Sequence, residues 1–279
     1  MFIKCWGARG SIPVSGSEFL KYGGNTTCIE IRTKNNEVII IDAGSGIRNL
    51  GSSLIKEGKK KVNIVFTHYH WDHLLGFPFF KPVYFSGHSI NLYGRTFCEK
   101  SVVEMLMPSM RPPYFPVRFE DALADIHSNE IADSPFVIDS VTIEPIILSH
   151  PNKGLGYRFT EDGKSFVFLT DNELSYKHEG GLDFADYAAF AEGADLLVHD
   201  AEYTETDYEM TRMWGHTVYK DALRLAMEAG VKRFALYHHN QERSDQAVDA
   251  LVDDCKSIIA KNSSSLDCFA MYEGQEITL

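Results

Sequence analysis

Four apolar, β-branched runs in this chain each stop on a residue able to bind a metal ion. VNIVFT, residues 62–67, runs into His68; IEPIILS runs into His150; SFVFLT runs into Asp171; RFALY runs into His238. Runs of this composition read as buried strands. Strand ends on one rim of a sheet converge, so polar residues placed there can meet. The chain must therefore fold so that several strands share one rim, and that rim is the candidate site.

The densest part of the pattern is Thr67-His68-Tyr69-His70-Trp71-Asp72-His73. Three histidines and an aspartate fall within six residues directly after a strand, where the chain is free to turn. Imidazole and carboxylate are the usual ligands of zinc-like ions. Burying so many polar groups without a partner would be costly, so metal binding is the expected role.

Further strands are expected at Cys28–Arg32 and Val38–Asp42, as a hairpin across Lys34-Asn35-Asn36. Others are expected at 141–148, 156–160, 196–199, 268–272 and 276–279. Val218, Ala222, Leu225, Ala226 and Ala229 recur at helical spacing, with Gly230 placed as the C′ glycine. Ser244 is a candidate N-cap for a helix with its apolar face on Val248, Leu251, Val252, Cys255, Ile258 and Ile259. Asp183–Ala191 is a third helix. The pattern predicts two mixed sheets covered by helices, in one domain over 1–279. Residues 74–138 read as a Pro-rich insertion, because 107–117 alone holds four of the ten prolines.

Composition narrows the function. With 27 Lys plus Arg against 39 Asp plus Glu, the net charge is −12, which argues against a broad polyanion-binding face and against long nucleic acid. No apolar run reaches the roughly 18–20 residues of a membrane span, and the start lacks a signal-peptide core. Five cysteines without a CxxC pair fit a reducing cytoplasm and small buried thiols. The sequence leaves the oligomeric state open, a homodimer included. DAGSG, Asp42 to Gly46, lacks the spacing and Lys of a P-loop and reads as a tight turn beside the site. Asp42 itself is expected to support a ligand from behind. Tyr69, Trp71, Phe77, Phe79, Phe80, Tyr114 and Phe115 read mostly as core. Tyr114 or Phe115 is a candidate for stacking on a base, with Arg111 and Arg118 as candidate charges.

His68, His70, Asp72 and His73 form an HxHxDH motif, and the chain resembles the metallo-β-lactamase superfamily from end to end. The segments Trp6-Gly7-Ala8-Arg9-Gly10-Ser11-Ile12-Pro13, Tyr22-Gly23-Gly24-Asn25-Thr26-Thr27 and Ile41-Asp42-Ala43-Gly44 resemble its branch related to ribonuclease Z, PhnP-type phosphodiesterases and class II cyclic nucleotide phosphodiesterases. The resemblance implies an α/β fold, an αββα sandwich of two mixed sheets flanked by helices. It implies two divalent ions, zinc, manganese or iron. His68, His70 and His150 would hold the first, Asp72, His73 and His238 the second, with Asp171 and a hydroxide bridging. His238 is preferred over His239 because Leu236-Tyr237-His238 continues the strand.

Val198-His199-Asp200-Ala201-Glu202 and Trp214-Gly215-His216-Thr217 resemble two further ribonuclease Z motifs. By that likeness Asp200 orients His216, and His216 contacts phosphate or protonates the leaving oxygen. Asp200 stands where the family has Glu, one methylene shorter. The implied activity is a metal-dependent phosphodiesterase acting on a small or cyclic anionic diester of the nucleotide kind, with Asp72, His216 and Asp200 in catalysis. A thioesterase or lactonase of the same superfamily, or a non-hydrolytic di-iron oxygen or redox sensor, are the alternatives. Asp171 in place of a Cys argues against a true β-lactamase.

Overall fold

The computed structural model describes residues 1–279. Its strands are β1 (Phe2–Gly7), β2 (Cys28–Arg32), β3 (Val38–Ile41), β4 (Lys61–Val65), β5 (Ser89–Gly94), β6 (Asp125–Glu130), β7 (Phe136–Ile138), β8 (Val141–Leu148), β9 (Gly154–Glu161), β10 (Lys164–Leu169), β11 (Leu196–Asp200), β12 (Arg233–Tyr237), β13 (Asp267–Ala270) and β14 (Glu276–Thr278). The α-helices are α1 (Ile47–Glu57), α2 (Trp71–Leu74), α3 (Val102–Leu106), α4 (Phe184–Ala191), α5 (Glu205–Thr211), α6 (Tyr219–Glu228) and α7 (Asp245–Lys261).

The strands form two seven-stranded sheets, ordered β14-β1-β2-β3-β4-β5-β6 and β13-β12-β11-β10-β9-β8-β7. Both are mixed. In the first, β14 to β3 pair antiparallel and β3 to β6 pair parallel. In the second, β7 to β10 pair antiparallel and β10 to β13 pair parallel.

The two-residue period of a strand explains the layering. Ile39 and Ile41 of β3 face Phe166 and Phe168 of β10 across a core shared by both sheets. Their neighbours Val38 and Ile40 face outward onto Ile47, Leu50 and Leu54 of α1. On the other side Val167 and Leu169 pack under α4, α6 and α7. Strands buried on both faces need apolar residues at every position, which is why VIII and FVFL do not alternate. Ser244 caps α7 by accepting from the Ala247 amide at 3.3 Å, and Gly230 follows α6 at φ 60°.

Residues 74–138 do more than wrap the domain. They supply β5 and β6 to one sheet and β7 to the edge of the other. β6, DIHSNE, is the outermost strand of its sheet and largely exposed. Its polar, charged sequence suits an edge that must not recruit another strand, and it hides the strand from an apolar-run search. Phe77 and Phe80 are core as expected, but Trp71, Phe79 and Tyr114 are exposed. Four cysteines are buried free thiols, whereas Cys98 is exposed on the loop after β5. No helix is long and apolar enough to cross a membrane.

Candidate metal centre

The expected ligands meet at one rim. His68 follows β4, His150 follows β8, Asp171 follows β10 and His238 follows β12. Asp171 and His238 sit at φ 58° and 57°, and Asp42, at the end of β3, at φ 60°. Left-handed backbone is uncommon outside glycine, and here it breaks three strands so sharply that each side chain turns into the rim.

Two cages result. In the first, His150 Nε2 is 3.1 Å from His70 Nδ1, and Asp171 Oδ2 is 3.5 Å from His68 Nε2 and 3.7 Å from His150 Nε2. In the second, Asp72 Oδ2 is 3.1 Å from His238 Nε2 and 3.3 Å from His73 Nε2. Asp171 Oδ1 is 3.4 Å from both of those nitrogens. Ligand atoms about 2.0–2.2 Å from a shared ion at tetrahedral angles stand about 3.4 Å apart. Both cages have that size, and Asp171 gives one oxygen to each. The nitrogens His68 Nε2 and His73 Nε2 are buried without any hydrogen-bond partner. A cation satisfies such orphaned lone pairs, so the residues fit two ions.

The outward nitrogens are engaged. Asp42 Oδ2 accepts from His73 Nδ1 at 2.7 Å while also accepting from the Thr67 hydroxyl. Glu202 Oε2 accepts from His238 Nδ1 at 2.8 Å, and the Gly215 carbonyl accepts from His150 Nδ1 at 3.0 Å. Each contact places the proton on Nδ1 and leaves Nε2 free for the cage. The Ser11 amide donates to Asp72 Oδ2 at 2.9 Å. Two glycines make room: a Cβ on Gly215 would stand 2.0 Å from His150 Nδ1, and one on Gly10 would stand 2.3 Å from His238 Nδ1.

Charge differs between the cages. Burial lowers His68 well below the ordinary imidazole value, lowers His70, and takes His150 down to about 3. These three are held neutral, as a cation site requires. Burial also opposes charge on His73 and His238, but Asp72 and Asp171 outweigh it and raise both. In return, the histidines hold the Asp72 and Asp171 carboxyls well below the usual range against their own burial.

His216 lies beside the second cage, its ring stacked on His238 at 4.7 Å. Its Nδ1 donates to Asp200 Oδ2 at 2.8 Å, so the shorter acid reaches it. Burial alone would lower the His216 pKa; Glu202, Asp200 and Asp171 reverse this and push it up to about 9. His239 is outside the cluster: its Nε2 donates to the Met271 carbonyl at 2.8 Å.

Sequence pattern alone gives no task to Glu202 or Glu173. Glu202 lies two residues after Asp200 at the end of a strand, and that spacing, which puts both on one side, is the signal for it. Glu173 is buried and accepts from His178 Nε2 at 2.7 Å, the Tyr208 hydroxyl at 2.5 Å, and the Met213 and Gly215 amides at 2.8 Å. It thereby holds the turn that presents both the Gly215 carbonyl and His216. Arg9 is also buried, tying Gly23, Asn240 and Arg243 carbonyls together behind His238. Phe115 packs edge-on against Phe79, and Arg111 and Arg118 line a separate cavity with Lys100; none of these reaches the cages.

Two cation cages joined by one aspartate, at the rim of an αββα sandwich, define a metallo-β-lactamase fold. The chain belongs to the beta-lactamase superfamily domain family, whose model matches residues 37–239. It is similar to ribonuclease Z of Lactococcus lactis subsp. lactis (strain IL1403), at 25% identity over 84% of this chain and 89% of that protein. Its fold is similar to that of YhfI from Bacillus subtilis (TM-score 0.69, 18% identity, 99% and 98% of the two chains). It is also similar to that of yeast PDE1 (TM-score 0.70, 12% identity, 100% and 99%).

Proposed function

We propose that this protein is a metal-dependent phosphodiester hydrolase acting on a small, anionic diester in the cytoplasm. The observation that carries the reading is the division of Asp171 between the cages with His216 held beside them. His68, His70 and His150 would hold one divalent ion, Asp72, His73 and His238 the other, and Asp171 both. Zinc, manganese and iron all suit these ligands. The ions would activate water and neutralise charge developing on phosphorus.

The chain's own residues do the rest. Asp200 fixes the His216 tautomer through Nδ1, leaving Nε2 as the nitrogen that carries a proton to the leaving oxygen. Glu202 and Asp42 keep His238 and His73 oriented. The ligands span residues 68 to 238 and both sheets, so 1–279 acts as one domain. Thioester or lactone hydrolysis would use the cages but give the Asp200–His216 pair no equivalent role.

The net charge of −12 supports a small substrate rather than long RNA. Similarity to ribonuclease Z favours a second reading, in which RNA 3′ ends are cut. The test is hydrolysis of bis(p-nitrophenyl) phosphate by metal-quantified protein, with zinc and manganese side by side, alongside a precursor-tRNA cleavage assay. Metal-dependent turnover of the small diester with intact precursor tRNA is expected. Efficient cleavage of the tRNA would replace the small-substrate reading, and no turnover of either at two metals per chain would end the phosphodiesterase reading.

A further inference from the structure

His199, near the end of β11, is a fully buried histidine that joins neither cage. By the two-residue period of the strand it shares the face of Leu197, under the helices, while Leu196 and Val198 face the core between the sheets. There it meets Asn172, also fully buried, one residue past the shared Asp171. His199 Nδ1 donates to the Asp200 carbonyl at 2.7 Å, so the neutral ring presents Nε2 as an acceptor. Burial lowers the His199 pKa and keeps the ring neutral. Asn172 Nδ2 donates to that Nε2 at 3.2 Å. The other end of the amide is thereby fixed as oxygen, and Asn172 Oδ1 accepts from the Ser149 amide at 2.9 Å.

Ser149 is the residue before His150, and Asn172 the residue after Asp171. The strands that lead into them, β8 and β10, are not neighbours, because β9 lies between. No ladder between those two strands can join their ends, and the Asn172 side chain makes the link instead. The Glu173 amide adds a second bond, donating to the Ser149 carbonyl at 2.8 Å. Ser149 is held on its other side too: its hydroxyl donates to the Tyr176 carbonyl at 2.6 Å and accepts from the His178 amide at 3.0 Å. The second cage has separate support, since Asp171 Oδ1 accepts from the buried Thr170 hydroxyl at 2.8 Å. A buried polar chain matched donor to acceptor at every step rigidifies what it joins.

We infer that Asn172 is a positioning residue for the first cage: it locks the Ser149–His150 turn to the Asp171–Asn172 turn, and His199 sets the direction of its amide. The inference rests on the two cation cages and not on the phosphodiester reading, since it concerns where the ligands stand and not what is cleaved. Loosening this clamp lets His150 drift from Asp171 Oδ2, now 3.7 Å from its Nε2, while the Thr170 hydroxyl keeps Asp171 Oδ1 at the second cage.

Calorimetric titration of the metal-free protein with cobalt(II), in two backgrounds, tests it. Asp72→Ala removes a second-cage ligand, so the titration reads the first cage; His70→Ala removes a first-cage ligand and reads the second. Asn172→Ala is expected to weaken cobalt about tenfold in the first background and less than about twofold in the second. His199→Phe, which keeps a ring but offers no acceptor, should do the same. His199→Gln, whose side-chain oxygen can replace Nε2, should keep tight binding. Asn172→Ala and His199→Phe combined should weaken cobalt no further than either alone. Unchanged affinity in both variants, equal losses in the two backgrounds, additive losses, or His199→Gln as weak as His199→Phe would each overturn the clamp. If Asn172→Ala does not fold, the two His199 variants decide alone. No cobalt bound in either background would overturn the cages and the clamp with them. No turnover of bis(p-nitrophenyl) phosphate by the unaltered protein would end the phosphodiester reading and leave the clamp standing.

Discussion

The two cages share Asp171 yet are built from different material. The first joins three neutral histidines to it; the second joins two histidines and the carboxylate of Asp72. Burial dominates the first and keeps His68, His70 and His150 unprotonated. Carboxylates dominate the second and raise His73 and His238, so protons there stand in for a cation. One rim can therefore offer a cage ready for an ion over a wide pH range beside one where the ion must displace protons.

Removing the shared residue abolishes the contrast outright. Asp171→Ala should cost about 10³-fold or more in diester turnover and disturb both ions, read by metal analysis and kinetics. Acidification should then separate the cages. The second ion should leave first as pH falls through the raised His73 and His238 values, while the first stays until its histidines are overwhelmed. Metal content measured at steps downward from alkaline pH checks the order; simultaneous loss would contradict the assignment of charge.

Asp200→Asn should lower kcat by about 10²-fold with two metals still bound, since it touches neither cage. In metal-free protein it should also lower the His216 titration midpoint from its value of about 9, because a carboxylate that favours the protonated ring has gone. Glu173→Gln should act more mildly, about tenfold on kcat with KM little changed, through the turn carrying Gly215 and His216. The smallest effects are on stability. A raised His216 pKa stabilises the metal-free fold fully below the unfolded value of about 6.5, and that contribution fades as pH rises through about 9. His216→Ala should flatten the pH dependence of unfolding over that window.

Much of the fold and of the site is legible in the chain's apolar pattern. Residues 62–67, 141–148 and 234–237 read as strands because burial on one or both faces demands long apolar runs. The candidate ligands His68, His150, Asp171 and His238 are visible because each directly follows such a run, and His70, Asp72 and His73 because they cluster behind the first of them. The strand Asp125–Glu130 is not, because an edge exposed to water carries no apolar pattern. Helix α1 and strand β5 are hidden for a different reason, as their short apolar sets acquire meaning only against Phe80, Val83 and β4.

The kinds of candidate ligand, their order and their position at strand ends are written in the linear chain, since these follow from local periodicity and side-chain chemistry. Three-dimensional packing settles the remainder: how Asp171 divides its oxygens, why His238 rather than His239 faces the rim, and what Glu202 and Glu173 hold. Those outcomes depend on groups far apart in the chain. Asp72 and His238, 166 positions apart, meet at 3.1 Å because two sheets align their strand ends on one edge, a relation that no local pattern encodes.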